Sequence, residues 1–305
     1  MRRTSGQMRL SLMRGSTKVF FGLLATGAAG LVYARWEAQA FTLRRATAAV
    51  LPVGQPPMRI LHLSDLHMTP GQQAKRRWVQ SLRELRPDAV IVTGDFLSHR
   101  DAVPHVLDAL DPLNDVPAAF VLGSNDYYAP RPLNPARYLA GPSGLEPNRP
   151  MLPWPDLVRG LTDAGWLDLG NRRGTMKVDG RLVDVRGVDD PHISRDKYHE
   201  VAGDFDQQAD LALGITHAPY LRILDGMTAD GADLVLAGHT HGGQLRVPGV
   251  GALVTNCDID RARSRGLSRH GSAHLHVSAG LGTSPYAPFR FACPPEATLL
   301  TLTSR

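Results

Sequence analysis

From residue 58 onward, short and mostly apolar runs alternate with longer amphipathic ones. Residues 59–63 (RILHL), 88–92 (DAVIV) and 118–122 (AAFVL) read as strands. Between them, 73–85 carries Trp78, Val79, Leu82 and Leu85 at helical spacing, and 102–110 suggests a second helix. This strand, helix, strand order implies an α/β fold with parallel strands in its first half. The second half changes character. Residues 176–188 predict a hairpin around Asp179-Gly180, 211–216 and 233–236 predict strands, and 245–254 and 275–302 alternate with little room for helices. The pattern predicts one α/β sandwich with helices outside two sheets.

Two stretches interrupt it. Three prolines and a glycine in 51–57 (LPVGQPP) mark a linker, assigned to 46–57, so the folded domain is expected over 58–305. Residues 129–155 hold eight of the 23 prolines together with Tyr138 and Trp154. A loop of that length is either a lid over substrate or membrane, or an exposed connector, and both readings stand.

The amino terminus is different again. Residues 19–34 (VFFGLLATGAAGLVYA) contain no charge and follow five basic side chains and no acid. As a helix the run would span roughly 24 Å, short of a bilayer core but usable with thinning. It predicts either an uncleaved anchor helix, with the domain outside the cytoplasm, or a signal peptide cut near Ala38-Gln39-Ala40 and a secreted protein. Arg35 and Glu37 disfavour cleavage, so the anchor is preferred.

Composition sharpens this division. With 305 residues, 43% of them hydrophobic, the chain is neither disordered nor fibrous. The net charge of +5 suggests a nucleic-acid binder until it is located. Residues 1–45 hold eight basic side chains against one acid, a net of +7, and the rest holds 26 basic against 28 acidic, a net of −2. A slightly acidic body argues against nucleic acid as partner, and a positive leader points to a membrane. Cys257 and Cys293 are too few for a disulfide framework and fit no metal knuckle.

The chemistry lies where apolar runs stop. Asp65 and His67 follow the first strand, Asp95 the second, and Gly123-Ser124-Asn125-Asp126 the third, while His217 follows 211–216 and His239 and His241 follow 233–236. Ligands collect beyond the carboxyl ends of strands in α/β sheets, so these residues can converge. If the segments stay extended, Asp65 and His67 share a side, as do His239 and His241. Two carboxylates, one amide oxygen and four imidazoles without a thiolate suit Mn, Fe, Co or Zn. Seven groups exceed the needs of one ion, whereas two ions sharing a carboxylate account for the number.

In order and spacing these blocks resemble the calcineurin-like metallophosphoesterases, whose pattern is D-x-H, G-D, G-N-H-D/E, a lone H and G-H-x-H. Here it reads Asp65-Leu66-His67, Gly94-Asp95, Gly123-Ser124-Asn125-Asp126, His217 and Gly238-His239-Thr240-His241. The leader, with Gly280-Leu281-Gly282, Arg290-Phe291 and Cys293-Pro294-Pro295-Glu296, is similar to the membrane-associated bacterial branch. The resemblance implies a four-layer αββα sandwich of two mixed sheets flanked by helices. It implies one metal on Asp65, His67, Asp95 and His241, and a second on Asp95, His217 and His239, to which Asn125 is added. It further implies a phosphoesterase using two divalent ions, Mn, Zn or Fe, and a metal-bridging hydroxide, with phosphodiester, pyrophosphate-type or lipid-linked envelope substrates in view. The bacterial cell membrane is the expected location.

One block departs from the family. Asn-His-Asp is replaced by Ser-Asn-Asp, so Asn125 either takes the histidine's place or, with a shift of one, remains the ligand. It is kept as ligand because serine is a poor substitute for an amide oxygen beside a dication. The general acid then falls to Asp126, whose pKa must rise from roughly 3.9 against nearby cations, or to another residue such as His99 or His192. Substrates with good leaving groups are expected. His62, His105, His199, His270, His274 and His276 are expected to have no role. The alternatives are a tethered metal-binding protein with lost catalysis, or a nuclease.

Overall fold

Strands apolar on both sides need cover on both sides, and two stacked sheets with outer helices supply it. The computed structural model describes residues 25–132 and 149–305. The first sheet runs β1 (Thr42–Leu51), β14 (Glu296–Ser304), β2 (Met58–Leu63), β3 (Ala89–Thr93), β4 (Ala118–Val121) and β5 (Leu167–Asp168). Strands β2 to β5 are parallel, β14 is antiparallel to β2, and β1 is parallel to β14. In the second sheet the order is β12 (Gly266–His270), β13 (Ala273–Val277), β9 (Leu234–Ala237), β8 (Leu211–Ile215), β7 (Arg181–Gly187) and β6 (Arg172–Val178). Its four inner strands are parallel, and both outer pairs are antiparallel.

Alternation along the strands sorts the core into layers. Leu61, Leu63, Val90, Val92 and Phe120 pack under the helices α2 (Gln73–Ser81), α3 (Val103–Leu110) and α5 (Trp154–Asp163). Ile60, Ile91 and Val121 instead face the second sheet, where Val183, Leu213 and Leu236 meet them. The far side of the second sheet is covered by α7 (Leu221–Ala229) through Ile223, Leu224 and Met227. This is the expected layering of helix, sheet, sheet, helix.

Several boundaries differ from the sequence expectation. The assigned linker begins inside β1, so the domain includes residues ahead of 58. As an edge strand, β1 exposes Arg45, Thr47 and Ala49 and buries Ala48 and Val50, a one-sided pattern that charge at its start disguises. Arg44 and Arg45 therefore belong to the domain, with Arg44 paired to Glu296. Trp154 and Pro155 open α5, with proline in the first turn where its missing N–H costs nothing, so the proline-rich loop is shorter than expected. Helix α7 joins β8 to β9 in a stretch for which the apolar pattern named no element. The hairpin stands as expected, with Asp179 and Gly180 at φ 50° and 79° joining β6 and β7.

Of the expected anchor, residues 19–24 lie outside the described residues, and 25–34 form most of a helix, α1, over 25–37. Among the described residues no helix is long and apolar enough to cross a membrane. The end of α1 is fixed to the domain. Buried Glu37 accepts the backbone N–H groups of Ala292 and Cys293, and the Ala34 carbonyl accepts that of Arg290 at 2.9 Å. Replacing Glu37 with Ala leaves two buried donors unpaired and should cost roughly 2–4 kcal/mol, with Glu37→Gln losing less. Urea unfolding of the full chain tests this, and an unchanged midpoint in Glu37→Ala would refute it.

Candidate metal centre

The loops after β2, β3, β4, β8 and β9 meet at one place. Asp65, His67, His239 and His241 are not extended as expected but left-handed, as is Asp95; the φ values are 50°, 42°, 67°, 49° and 55°. Left-handed backbone in non-glycine residues costs roughly 1–2 kcal/mol each and persists only where the surroundings hold it. Here the loops brace one another, with the N–H groups of Asp65 and His67 each 2.9 Å from the carbonyls of Gly94 and Asp95. Glycine permits the closest approaches. A Cβ on Gly123 would lie 2.4 Å from Asp95 Oδ1, and one on Gly280, at φ 69°, would lie 2.5 Å from Asp65 Cβ.

Ligand atoms of Asp65, His67, Asp95 and His241 all lie within 4.8 Å of one another. The Nε2 atoms of His67 and His241 face each other at 3.2 Å, with Asp95 Oδ2 at 3.5 Å from the first and Asp65 Oδ1 at 3.6 Å from the second. Burial holds both imidazoles below their ordinary pKa, His67 at about 4, so they are neutral at pH 7. The other ring nitrogens are already engaged, His67 Nδ1 with Ser98 Oγ at 2.9 Å and His241 Nδ1 with the Gly282 carbonyl at 3.2 Å. Facing lone pairs beside two carboxylates make a donor set that fits a cation.

A second set adjoins it. His217 Nδ1 donates to the Thr93 carbonyl at 2.6 Å, leaving Nε2 buried, without a hydrogen bond, and 3.5 Å from Asp95 Oδ2. Burial opposes charge on this ring, but Asp95, Asp190 and Asp65 outweigh it and push it up to about 9. The position thus demands positive charge, which a proton or a metal ion can supply. Burial also works against ionised Asp95, yet His217 and His67 hold it well below the usual carboxylate range. The His239 ring lies 5.1 Å from that of His217.

The departing block takes a definite arrangement. Asn125 is the residue that reaches the site, its Nδ2 donating to Asp95 Oδ2 at 2.7 Å and its N–H to Oδ1 at 2.8 Å. A half-turn of the amide would present Oδ1 instead. Asp126 turns away. At the third position of α4 (Ser124–Tyr127), its carboxylate accepts the N–H groups of Gly123, Asp95 and Leu97, each at 2.9 Å. Burial and the charge of Asp95 push its pKa up to about 8, while these donors pull it down. With both oxygens engaged by backbone it fastens two loops, which corrects the expectation of a general acid facing substrate. His192 lies beside the site, its ring 4.4 Å from that of His239 and tilted by 44° to it, and its Nδ1 3.1 Å from Tyr220 Oη. His99 is displaced to the surface beside Asp101.

Sequence reasoning missed Arg149, which anchors on the carbonyls of Tyr128 and Ala129 and reaches to 3.5 Å from Asn125 Oδ1. It also dismissed His62 and His276. Both are buried in a chain of hydrogen bonds that ends at the metal-site carboxylate. His276 Nδ1 is 2.9 Å from His62 Nδ1, His62 Nε2 is 3.0 Å from Thr93 Oγ1, Thr93 Oγ1 is 2.7 Å from Ser64 Oγ, and Ser64 Oγ is 2.6 Å from Asp65 Oδ2. Burial raises Asp65 to about 6, so it is still ionised at pH 7 and can only accept. Ser64 must therefore donate to it, Thr93 to Ser64, and His62 Nε2–H to Thr93. The remaining His62 nitrogen then accepts from His276 Nδ1–H. One carboxylate dictates both tautomers.

The calcineurin-like phosphoesterase family matches residues 58–243, and the chain belongs to it. It is a metallophosphoesterase, a hydrolase acting on phosphoester bonds. Among its relatives, the uncharacterized metallophosphoesterase YkuE of Bacillus subtilis is 26% identical over 97% of this chain and 99% of its own length. The phosphodiesterase YaeI of Escherichia coli is 28% identical, with 86% and 88% covered. A transmembrane protein with a metallophosphoesterase domain from Danio rerio is 26% identical over 83% of this chain and 54% of its own.

If the hydrogen-bond chain orients Asp65, Thr93→Val should weaken Mn binding about tenfold without loss of fold. Calorimetric titration of the full chain measures this, and unchanged affinity would contradict it. Acid pH tests the neutral pair. His276 is held at about 4, against 6.5 in the unfolded chain, which therefore takes up more protons below pH 6.5. The stability from His276 is complete above pH 6.5 and declines towards pH 4. The unfolding free energy of wild type relative to His276→Asn should narrow as pH falls from 7 to 4.5; a gap independent of pH would show that His276 is not held neutral.

Proposed function

We propose that the chain hydrolyses phosphodiester or pyrophosphate-type bonds of lipid-linked or cell-envelope substrates at a centre of two divalent ions, Mn, Zn or Fe. The facing Nε2 atoms of His67 and His241, set between Asp65 and Asp95, carry this reading. Asp65, His67, Asp95 and His241 would hold one ion, and Asp95, His217 and His239 the other, with the amide oxygen of Asn125 completing it. Bound there, the ions would supply Lewis acidity towards the phosphoryl oxygens and lower the pKa of water.

The chain's own residues do the rest. Asp95 is shared between the sets, kept in place by the backbone N–H of Asn125. Asp126 fixes the loops of Asp95 and Gly123 so that the distance between the two sets is preserved. Near the gap left by the family's histidine, Arg149 offers positive charge to a departing oxygen, and His192 offers an imidazole on the side of His239. Neither equals a histidine placed on the leaving group, so rates should fall steeply as the leaving group becomes more basic. Asp126 turned inward also favours a second reading, a tethered metal-binding protein with lost catalysis. The run 19–34 and the docked α1 support a membrane location with the domain outside the cytoplasm.

Hydrolysis of bis-p-nitrophenyl phosphate by the full chain with Mn decides between the two. Turnover that falls more than about a hundredfold in Asp95→Ala, and that places solvent oxygen in the product, is expected. Stoichiometric metal with no turnover would leave only the binding protein.

A further inference from the structure

Ten of the twelve large hydrophobic side chains that are exposed among the described residues lie on only three segments: α1, 244–255 and 283–293. The segments touch. The ring of Tyr33 is 5.8 Å from Trp36 on α1 and 5.6 Å from Phe291. Phe291 in turn is joined to the hairpin segment, its carbonyl accepting the N–H of Arg246 and its N–H donating to the Gln244 carbonyl, at 2.9 and 3.0 Å. Beyond Arg246, β10 (Arg246–Val247) and β11 (Gly251–Ala252) form a two-stranded ribbon with Val250 at its tip, 74% exposed. One strip thus runs from α1 across Phe291 to the tip of the ribbon.

We infer that this strip sits on an anionic lipid surface. An apolar strip of this extent on a domain that otherwise buries its large side chains marks an interaction site, and its chemistry names the partner. Helix α1 continues the uncharged run 19–34, which follows five basic side chains, so the strip begins where the most membrane-like sequence of the chain ends. Trp36 and Tyr33 present amphipathic rings of the kind that settle at the headgroup level. Neither 244–255 nor 283–293 contains an Asp or Glu, Glu37 of α1 is buried and Arg35 of α1 is exposed, so an anionic surface meets no repelling charge from the three segments. The strip also borders the metal centre. Tyr286 lines a cleft of about 840 Å³ together with Met151 and Ser98, and Ser98 bonds to His67. Seated this way, the cleft opens beside the headgroups, where a membrane-borne phosphoester can enter. That consequence rests on the function proposed above; the docking itself does not.

The test uses the full chain and vesicles of phosphatidylcholine and phosphatidylglycerol at 3:1, doped with nitroxide-labelled lipid. A fluorophore on Val250→Cys should be quenched at least about threefold more than one on Val53→Cys, which lies outside the strip and is 84% exposed. The native cysteines are buried. Equal quenching at both positions, with the chain bound to the vesicles, would overturn the inference. So would a label at 250 that is already shielded without vesicles in proportion to protein concentration, since a second copy would then cover the strip. As a second readout, Val250→Asp with Leu253→Asp should lower turnover of a vesicle-borne phosphoester about tenfold or more and leave bis-p-nitrophenyl phosphate hydrolysis unchanged, each buried apolar side chain being worth roughly that factor. Wild type that cleaves neither substrate would defeat the proposed function, and the quenching result would stand on its own.

Discussion

Three carboxyl groups, those of Asp65, Asp95 and Asp126, are buried close together in space, each just past one of the parallel strands β2, β3 and β4. A carboxyl group removed from water is costly unless partners replace the solvent, and the site is built from the three ways in which that happens. Asp126 is satisfied by backbone alone, and in accepting three N–H groups it fixes the loops after β3 and β4. Asp95 relies on imidazoles and an amide. Asp65 relies on Ser64 and the N–H of His239, which ties the loop after β2 to the loop after β9 in the other sheet. The left-handed ligands and the glycines around them follow from this need, since only tight, closely packed loops bring so many donors to so few oxygens.

The legible part of this site was the part written in local sequence. Asp65, His67, Asp95, His217, His239 and His241 each stand just past an apolar run, and the chain gathers all of them. Their residue types were visible, but their backbone was not: an extended segment was the simplest expectation, and left-handed turns arise only because neighbouring loops brace one another. Asp126 shows the limit most clearly. An acid beside a missing histidine reads as a replacement, yet an acid at the third position of a short helix is also a cap, and only the positions of the Asp95 and Leu97 N–H groups distinguish the two.

The hydrogen-bond chain from His276 to Asp65 was invisible for a different reason. His62 in β2 and Ser64 just past its end stand two residues apart, which was readable, but His276 belongs to β13 in the second sheet. The pair forms only where the two sheets stack, across a layer otherwise filled by Ile60, Ile91, Leu213 and Leu236. A polar bridge there has few registers in which every donor meets an acceptor, so it fixes how the sheets align as well as how Asp65 is held. The same dependence on distant partners hid β1, whose sheet neighbour among the described residues, β14, lies near the other end of the chain.

Segments far apart in the chain, α1 and 290–293, also meet beside the candidate metal centre. Glu37 on α1 holds the backbone of Ala292 and Cys293, and between them and α1 lies Arg290, fully buried. Its guanidinium donates to the carbonyls of Ala279, Gly280, Gly282 and Cys293 and stands 3.3 Å from His241 Nδ1. Gly282 is the same residue whose carbonyl accepts from His241, so Arg290 positions the partner that fixes the ligand's tautomer. A buried guanidinium is costly unless its donors are used, and here four carbonyls take those of its two terminal nitrogens, while Nε is left without a hydrogen bond. Displacing α1 would release the 290–293 loop and, through Arg290, loosen His241. The helix that carries the exposed Trp36 and Val32 on one side is therefore joined, by its only carboxylate on the other, to the geometry of the site.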